Sequence, residues 1–142
     1  MSISYNAKDK DGESMTKPFA LRLSIKNHLD KSTSEYECMA TISDDRLITY
    51  QEDDKVSTVT LLIEKNSLLL IRQNESRTQI AFKLEEDSTF FIETDEGRII
   101  GEVHTTVLKT TIEHIHIEYQ LILEGKAITH QSIHYYLKEL KA

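Results

Sequence analysis

The chain has 142 residues, 39% of them hydrophobic and 29% charged, and a formal charge of −7 at pH 7. This length and composition favour one globular domain that can bury a core without disulfides or metal. The acidic balance disfavours nucleic-acid binding, which needs clustered Lys and Arg, and no apolar run is long enough for a membrane-spanning helix. We therefore expect neither a nucleic-acid nor a membrane partner.

The N-terminal 18 residues are polar and end at the only proline, Pro18. They lack the basic start, apolar run and small-residue cleavage site of an export signal, so we expect a cytoplasmic protein. We predict a flexible N-terminal arm over residues 1–18 and a single β-barrel domain over residues 19–142.

Alternation of apolar and polar residues with a period of two starts at Phe19 and dominates the rest of the chain. It predicts strands over residues 19–26, 35–42, 46–52, 56–63, 68–72, 78–84, 89–94, 98–108, 114–123 and 127–137. The segments between them are short and polar, which allows antiparallel neighbours and leaves no room for crossover helices. We predict an all-β fold, a closed antiparallel up-and-down barrel of about 8–10 strands, with a two-sheet sandwich as the alternative.

Short motifs follow one another along these strands. They are Tyr-x-Glu at residues 50–52, an Arg closing an apolar strand at residue 72, apolar-x-Phe at residues 80–82, a glycine at residue 97 opening a long Thr-bearing strand, and Ile-x-Tyr-x-Leu at residues 117–121. In this order the chain resembles, over roughly residues 20 to 138, the YwiB-like family of bacterial proteins of unknown function in the calycin superfamily. The resemblance implies a lipocalin-like barrel with a lumen and supplies no activity.

The chain departs from that family at two turns and lacks one signature of true lipocalins. Gln73-Asn74 and Leu84-Glu85 stand where the family commonly has a glycine, and the Gly-x-Trp signature is missing because the chain has no tryptophan. These departures predict differently shaped turns and argue against a secreted carrier.

No residue pattern typical of catalysis is present: there is no phosphate-binding glycine loop, nucleophile elbow or metalloprotease helix. We expect no enzyme activity and no cofactor. Cys38, the only cysteine, alternates with Tyr36 and Ala40 on an apolar face. It is expected to be a small buried hydrophobe instead of a reactive thiol, since Glu35 and Glu37 beside it would raise its pKa.

A first candidate site combines Tyr50, Glu52 and Arg72, which alternate with apolar residues on faces expected to point inward. Two interpretations stay open. Glu52 and Arg72 could form an ion pair that closes one end of the barrel. Alternatively, with Phe82 and Tyr119, these residues could bind a small apolar or amphipathic ligand and fix its polar head.

A second candidate site is a group of histidines near the C-terminus: His104, His114, His116, His130 and His134. A three-residue turn at residues 124–126 would place His116 opposite His134 and His114 opposite Tyr136, on the outside of the barrel, where His104 and Glu102 could join them. The alternatives are a polar stripe, a pH-sensitive interface, or a metal site that uses His104, His114, His116 and His134. The second functional hypothesis is therefore an interaction module that forms a homodimer through these strands.

Overall fold

A computed structural model describes residues 16–140 as a single closed barrel of ten antiparallel strands. The strands are β1 (Thr16–Asn27), β2 (Ser32–Ser43), β3 (Leu47–Gln51), β4 (Thr58–Glu64), β5 (Ser67–Gln73), β6 (Arg77–Lys83), β7 (Asp87–Thr94), β8 (Gly97–Thr110), β9 (His114–Leu123) and β10 (Lys126–Glu139). Each strand pairs with its neighbours in sequence, and β1 also pairs with β10. The prediction of an all-β closed barrel is confirmed. Between residues 16 and 140 no helix is long and apolar enough to cross a bilayer.

The apolar residues of each alternating pattern point into the barrel, and the polar residues between them point outward. In β9, for example, Ile115, Ile117 and Tyr119 are buried in the core, while His116 and Glu118 between them lie on the outer surface. The core is formed by such inward residues from all ten strands. Removing this apolar surface from water is the main force that stabilises the barrel.

The seam between β1 and β10 closes the barrel. It runs from the pair Phe19–Glu139 to the pair Asn27–Gln131, and the Leu140 amide donates to the Pro18 carbonyl at 3.1 Å beyond it. Strand β1 begins at Thr16, so residues 16–18, which the sequence placed in the arm, pair with Thr41–Ser43 of β2. Pro18 is tolerated because it lies near the start of the strand. The rest of the predicted arm, residues 1–15, lies outside the described residues.

The barrel has two ends, which we call upper and lower. The upper end carries the turns that follow β1, β3, β5, β7 and β9, and the lower end carries the other four turns together with residues 16 and 140. Seven turn residues other than glycine have positive φ, among them Lys31, Asp45 and Lys55. The chain therefore turns tightly with few glycines.

Two bulges set the register of the last three strands. The β9–β10 hairpin has a two-residue turn, Glu124-Gly125, and an irregularity between Ala127 and Thr129 supplies the extra residue of the predicted three-residue turn. Beyond it His116 pairs with His134, the register that the sequence predicted. A second bulge, between Thr105 and Val107, shifts β8 against β9.

Candidate functional site

The inward side chains leave a cavity of about 160 Å³ below the upper end of the barrel. Its wall combines aliphatic residues with four tyrosines and a short row of polar groups: Leu23, Ile25, Val59, Leu70, Ile80 and Ile133; Tyr36, Tyr50, Tyr119 and Tyr135; Glu52, Arg72, Thr78 and Gln131. An apolar wall with a few convergent polar groups is the usual composition of a small-molecule site.

The polar end of the cavity is built around an ion pair between Arg72 and Glu52. Arg72 Nε donates to Glu52 Oε1 at 2.8 Å, and the two side chains are 38% and 22% exposed. Tyr50, Val59 and Arg72 are register partners on β3, β4 and β5, so strand pairing places Arg72 beside the inward end of β3. The ion pair that the sequence offered as one interpretation is therefore present, and it borders the cavity.

A buried serine fixes the position of the guanidinium. Arg72 Nη2 donates to Ser57 Oγ at 3.3 Å, and Asn74 Nδ2 donates to the same oxygen at 3.1 Å. Ser57 Oγ in turn donates to Asp54 Oδ2 at 2.8 Å, while Asp54 Oδ1 accepts the amides of Val56 and Ser57. These backbone hydrogen bonds lower the pKa of Asp54 to about 2. Arg72 is thus held between two carboxylates by a polar network that starts in the β3–β4 turn.

Four tyrosines supply the remaining polar atoms of the wall. Tyr50 Oη donates to Tyr135 Oη at 3.5 Å, and Tyr119 Oη donates to Gln131 Oε1 at 2.8 Å. Burial raises the pKa of Tyr50, Tyr119 and Tyr135 well above the ordinary value, and burial together with the Glu52 carboxylate raises the pKa of Tyr36 to about 12. The phenols are therefore neutral, and they can act as hydrogen-bond donors and acceptors but not as bases.

Alkaline titration should distinguish these buried phenols. The pKa of a tyrosine in the unfolded chain is near 10, and the pKa of these buried phenols is higher. Their contribution to the free energy of unfolding is therefore fully present below about pH 10 and is lost as the pH rises further. We expect Tyr50, Tyr119 and Tyr135 to ionise only when the barrel unfolds, as followed by ultraviolet absorption of tyrosinate alongside circular dichroism. Ionisation of all the tyrosines of the folded barrel near pH 10 would contradict this prediction.

Two other inward residues lie away from the cavity. Phe82 is fully buried and packs edge-on against Tyr119, with ring centroids 4.8 Å apart, so it supports the wall without belonging to it. Cys38 is half-buried, and burial together with Asp53 and Glu52 raises its pKa, so its thiol is protonated. The cavity wall contains no histidine, cysteine or serine that could act as a nucleophile or as its base.

Sequence reasoning missed several members of this site. Tyr135, Gln131 and Thr78 line the cavity, and Ser57 holds Arg72 from behind. The alternation of β10 could have identified Tyr135 and Gln131, because both share a face with Ile133. The alternation of β6 likewise puts Thr78 on the face of Ile80. Nothing in the sequence around Ser57 indicates that its hydroxyl lies under an arginine of another strand.

The six histidines of the chain all lie on the outer side of the barrel, in two groups. In the first, His114 Nε2 and His134 Nδ1 are 2.9 Å apart, and the His116 ring stacks on His134 with centroids 3.9 Å apart. Tyr136 lies beside His114, and the Arg22 guanidinium covers Tyr136 at 4.3 Å. His116 Nε2 is buried and has no hydrogen-bond partner, since Glu118 Oε2 is 3.8 Å away.

The second group contains His28, His130 and His104. His28 Nε2 is 2.7 Å from Ser132 Oγ, and the His28 and His130 rings are 4.4 Å apart. His104 is the register partner of Gln120, four residues along β9 from His116, and it lies 2.9 Å from Asp87. Among residues 16–140 no three His, Cys, Asp or Glu side chains are arranged to hold a metal ion. Of the four histidines that the sequence offered as metal ligands, His114, His116 and His134 lie together, and His104 lies apart from them.

Acid should destabilise the barrel through the first histidine group. Burial lowers the pKa of His116 and of His134, as do neighbouring imidazoles, and Lys109 adds to this at His116, while Glu118 opposes it at both. The pKa of a histidine in the unfolded chain is near 6.5, so below about that pH the unfolded chain binds more protons than the folded barrel. The contribution of these two imidazoles to the free energy of unfolding is therefore present above about pH 6.5 and is lost as the pH falls.

The unfolding free energy of the wild type should decrease between about pH 7.5 and about pH 5. We expect this decrease to be smaller by roughly 1 kcal/mol in the double variant His116→Asn with His134→Asn. Urea unfolding of both proteins across this range measures it. At about pH 8 any difference between them should no longer vary with pH. A variant whose stability falls with acid as steeply as that of the wild type would rule out this role for the two imidazoles.

Comparison with known proteins places the chain in a family. A family model described as a domain of unknown function, DUF1934, matches residues 21–134. The chain belongs to this family. No curated protein matches. The crystal structure of ywiB protein from Bacillus subtilis is similar, with a TM-score of 0.68 over 95% of this chain and 100% of that chain at 9% identity. At this identity the likeness shows that the two proteins share a barrel fold. It agrees with the YwiB-like resemblance read from the motifs.

Proposed function

We propose that this barrel binds a small, partly apolar molecule in its lumen, with Tyr50, Glu52 and Arg72 orienting the polar head. The observation that carries the proposal is the unfilled volume of about 160 Å³ directly beside the Glu52–Arg72 pair. A barrel stabilised by packing alone would fill this space with side chains, because voids cost stability. Tyr119 lines the same volume, and Phe82 supports it from below.

The cavity volume limits the size of the ligand. A protein cavity of about 150 Å³ holds one benzene molecule, so this one holds roughly five to eight non-hydrogen atoms. Typical pockets for drug-sized ligands are several times larger, at about 300–1,000 Å³. A long-chain lipid is therefore too large for the lumen of this barrel.

The charges at the polar end favour a ligand without net charge. Arg72 is already paired with Glu52 and faces Asp54 through Ser57, so an additional carboxylate would meet two carboxylates and no free cation. The Tyr50–Tyr135 hydrogen bond uses only one of the two hydroxyl protons, which leaves the other for an acceptor on the ligand. A small alcohol, phenol or amide has the matching chemistry.

The proposal extends to a setting for this binding. We place the protein in the bacterial cytoplasm, as a calycin-like barrel whose one cysteine is a free, half-buried thiol. There it would bind a small metabolite reversibly, as a carrier or a sensor. Neutral phenols and an arginine already paired with a carboxylate support binding without chemical conversion.

The test uses cyclohexanol, benzyl alcohol and pentanamide as probes, with palmitate as an oversized one, followed by NMR of the inward methyl groups. We expect shifts at Leu70 and Val59 with the small probes and none with palmitate. Leu70→Phe should fill the cavity and weaken binding at least about tenfold, which corresponds to about 1.4 kcal/mol. Leu69→Phe is the matched control, because it makes the same change on the outer side of the same strand. Absence of methyl shifts with all three small probes would overturn the proposal.

A further inference from the structure

The lower end of the barrel contains a second space, of about 200 Å³, which we call the lower hollow. Most of its wall is apolar, formed by Ile42, Ile48, Ile63, Ile112 and Leu137. Asp45 and Thr110 add polar atoms to this wall. None of these residues lines the cavity beside Arg72, so the two spaces are separate.

The described part of the chain leaves the lower hollow uncovered on one side. Ile42, Ile48 and Leu137 are at most 6% exposed, whereas Ile112, in the turn between β8 and β9, is 60% exposed. A single exposed isoleucine is ordinary on a protein surface. This one, however, borders an unfilled apolar space, and protein interiors rarely leave such a space empty. The lower hollow therefore has the shape and lining of a site for one further side chain.

Residues 1–15 join the described chain beside the lower hollow. Strand β1 begins at Thr16, which pairs with Ser43, and the next residue pairs with Ile42 of the hollow wall. Ten strands about 4.8 Å apart and tilted by about 40° enclose a barrel about 20 Å across. Ten residues of extended chain reach about 33 Å. A side chain at position 5 can therefore reach any part of the hollow.

The apolar side chains of this segment are Met1, Ile3, Tyr5, Ala7 and Met15. Only Tyr5 among them also carries a hydrogen-bond donor, which matches a wall that combines isoleucines with the Asp45 carboxylate. Its size fits as well, because a cavity of about 150 Å³ holds one benzene molecule and about 200 Å³ holds one phenol ring. Tyr5 is thus the residue of the segment whose size and chemistry match the hollow.

We propose that the Tyr5 side chain of the same chain fills the lower hollow, with its ring against Ile48 and Ile112 and its hydroxyl donating to Asp45. Residues 6–14 are polar apart from Ala7 and include Asp11-Gly12, a dipeptide typical of turns, which suits a solvated connection.

The covalent connection favours this occupant over a second copy. A short flexible tether gives an effective concentration on the order of 1 mM, so even a weak contact is populated at any protein concentration. A second copy would have to supply its Tyr5 from solution, and a hollow of this size accepts one side chain and not an interface. The proposal closes the lower end of the barrel and does not depend on ligand binding in the lumen.

NMR of the full chain with labelled isoleucine methyl groups tests the proposal, because four residues of the hollow wall are isoleucines. We expect nuclear Overhauser contacts from the Tyr5 ring to the methyl groups of Ile48 and Ile112. These contacts should be equally strong at protein concentrations of about 50 μM and about 1 mM, as a tethered group requires. Absence of the contacts overturns the proposal. Contacts that grow with concentration also overturn it, since a second copy would then supply the ring.

Substitutions in the segment identify the side chain that occupies the hollow. Tyr5→Ser should shift the methyl resonances of Ile48 and Ile112. Ile3→Ser is the matched control, because it removes an apolar side chain from the same segment and should leave both resonances in place. Met15→Ser should leave them in place as well. If either control shifts the two resonances as much as Tyr5→Ser does, the assignment to Tyr5 is overturned.

Two reference positions separate this result from a change elsewhere in the barrel. Ile128, 45% exposed near the start of β10 at the upper end, should keep its methyl resonance in all three variants. Leu70 of the cavity beside Arg72 should keep its resonances and its response to the small probes in Tyr5→Ser. A shift at both reference positions would show that position 5 affects the whole barrel and would overturn a local role in the hollow.

Discussion

Replacing Gly101 with alanine should cost at least about 3 kcal/mol of unfolding free energy, a large share of the 5–15 kcal/mol that stabilises a typical domain. A Cβ at this position would lie 2.5 Å from the backbone carbonyl oxygen of Ile122 and closer still to the ring of Phe90. Phe90 is fully buried, and Ile122 belongs to the neighbouring strand, so neither can move without disturbing the core. Urea unfolding followed by circular dichroism measures the loss.

Gly125→Ala serves as the contrasting variant. Gly125 has a φ of +81° in the β9–β10 turn and no atom within 4 Å of the new Cβ, so its cost comes from the backbone alone. We expect about 1 kcal/mol there. Equal losses of unfolding free energy in Gly101→Ala and Gly125→Ala would contradict this prediction. The close packing of β8 against Phe90 would then not be the reason for glycine at position 101.

Removing the cation of the lumenal ion pair should produce the second large effect. Arg72→Met should cost about 2 kcal/mol, because Glu52, only 22% exposed, would keep its charge without a partner. The figure stays below that of a fully buried pair because the Arg72 side chain is 38% exposed and water screens part of the interaction. The Ser57 hydroxyl also loses its guanidinium neighbour.

A double-mutant cycle separates these contributions. Arg72→Met combined with Glu52→Gln should be more stable than Arg72→Met alone, since the unpaired carboxylate is gone. Unfolding free energies of the four proteins give the coupling energy between the two side chains. If the losses of unfolding free energy in the two single variants add up to the loss in the double variant, the coupling energy is zero. Contacts with neighbouring residues, and not mutual attraction, would then hold Arg72 and Glu52 in place.

The strands were predictable because a half-buried strand must alternate. Each of the ten predicted segments overlaps one observed strand, and the pairing of His116 with His134 followed from the parity of the last hairpin. Parity was sufficient because a two-residue turn with a one-residue bulge has the same register as a three-residue turn. Inward positions such as Tyr50 and Arg72 could therefore be assigned from alternation with apolar neighbours.

The rest of the site depends on information that is not local in the sequence. His104 was expected near His116, but the pairing of β8 with β9 places it opposite Gln120, four residues along β9 from His116. Alternation predicts the face of a strand on which a residue lies and not the register of that strand with the next one. The volume of the cavity depends on how side chains from ten strands meet, so alternation predicts which residues point inward and not how well they fill the space. Turns with positive φ at Lys31 or Glu85 were equally invisible, because lysine and glutamate carry no preference for that conformation.

The outward sides of β4 and β5 show what alternation alone does not predict. Arg72 was predicted to point inward because it alternates with apolar residues, yet the run Leu68–Ile71 puts apolar side chains on both sides of a sheet. The local sequence therefore indicates an apolar outer side as clearly as an inner one. It does not indicate the strand pairing, which places Leu47, Leu62 and Leu69 side by side.

The seam between β1 and β10 also determines how the barrel folds. Its pairs, such as Phe19 with Glu139, join the two ends of the described chain, whereas every other pairing in the barrel joins neighbouring strands. Closing the largest loop costs the most chain entropy, so the ring of strands should close last, after the hairpins have formed. Until then both terminal strands are open edges. A circular permutant that links residues 16 and 140 and opens another turn would turn this late seam into a local hairpin and should fold faster.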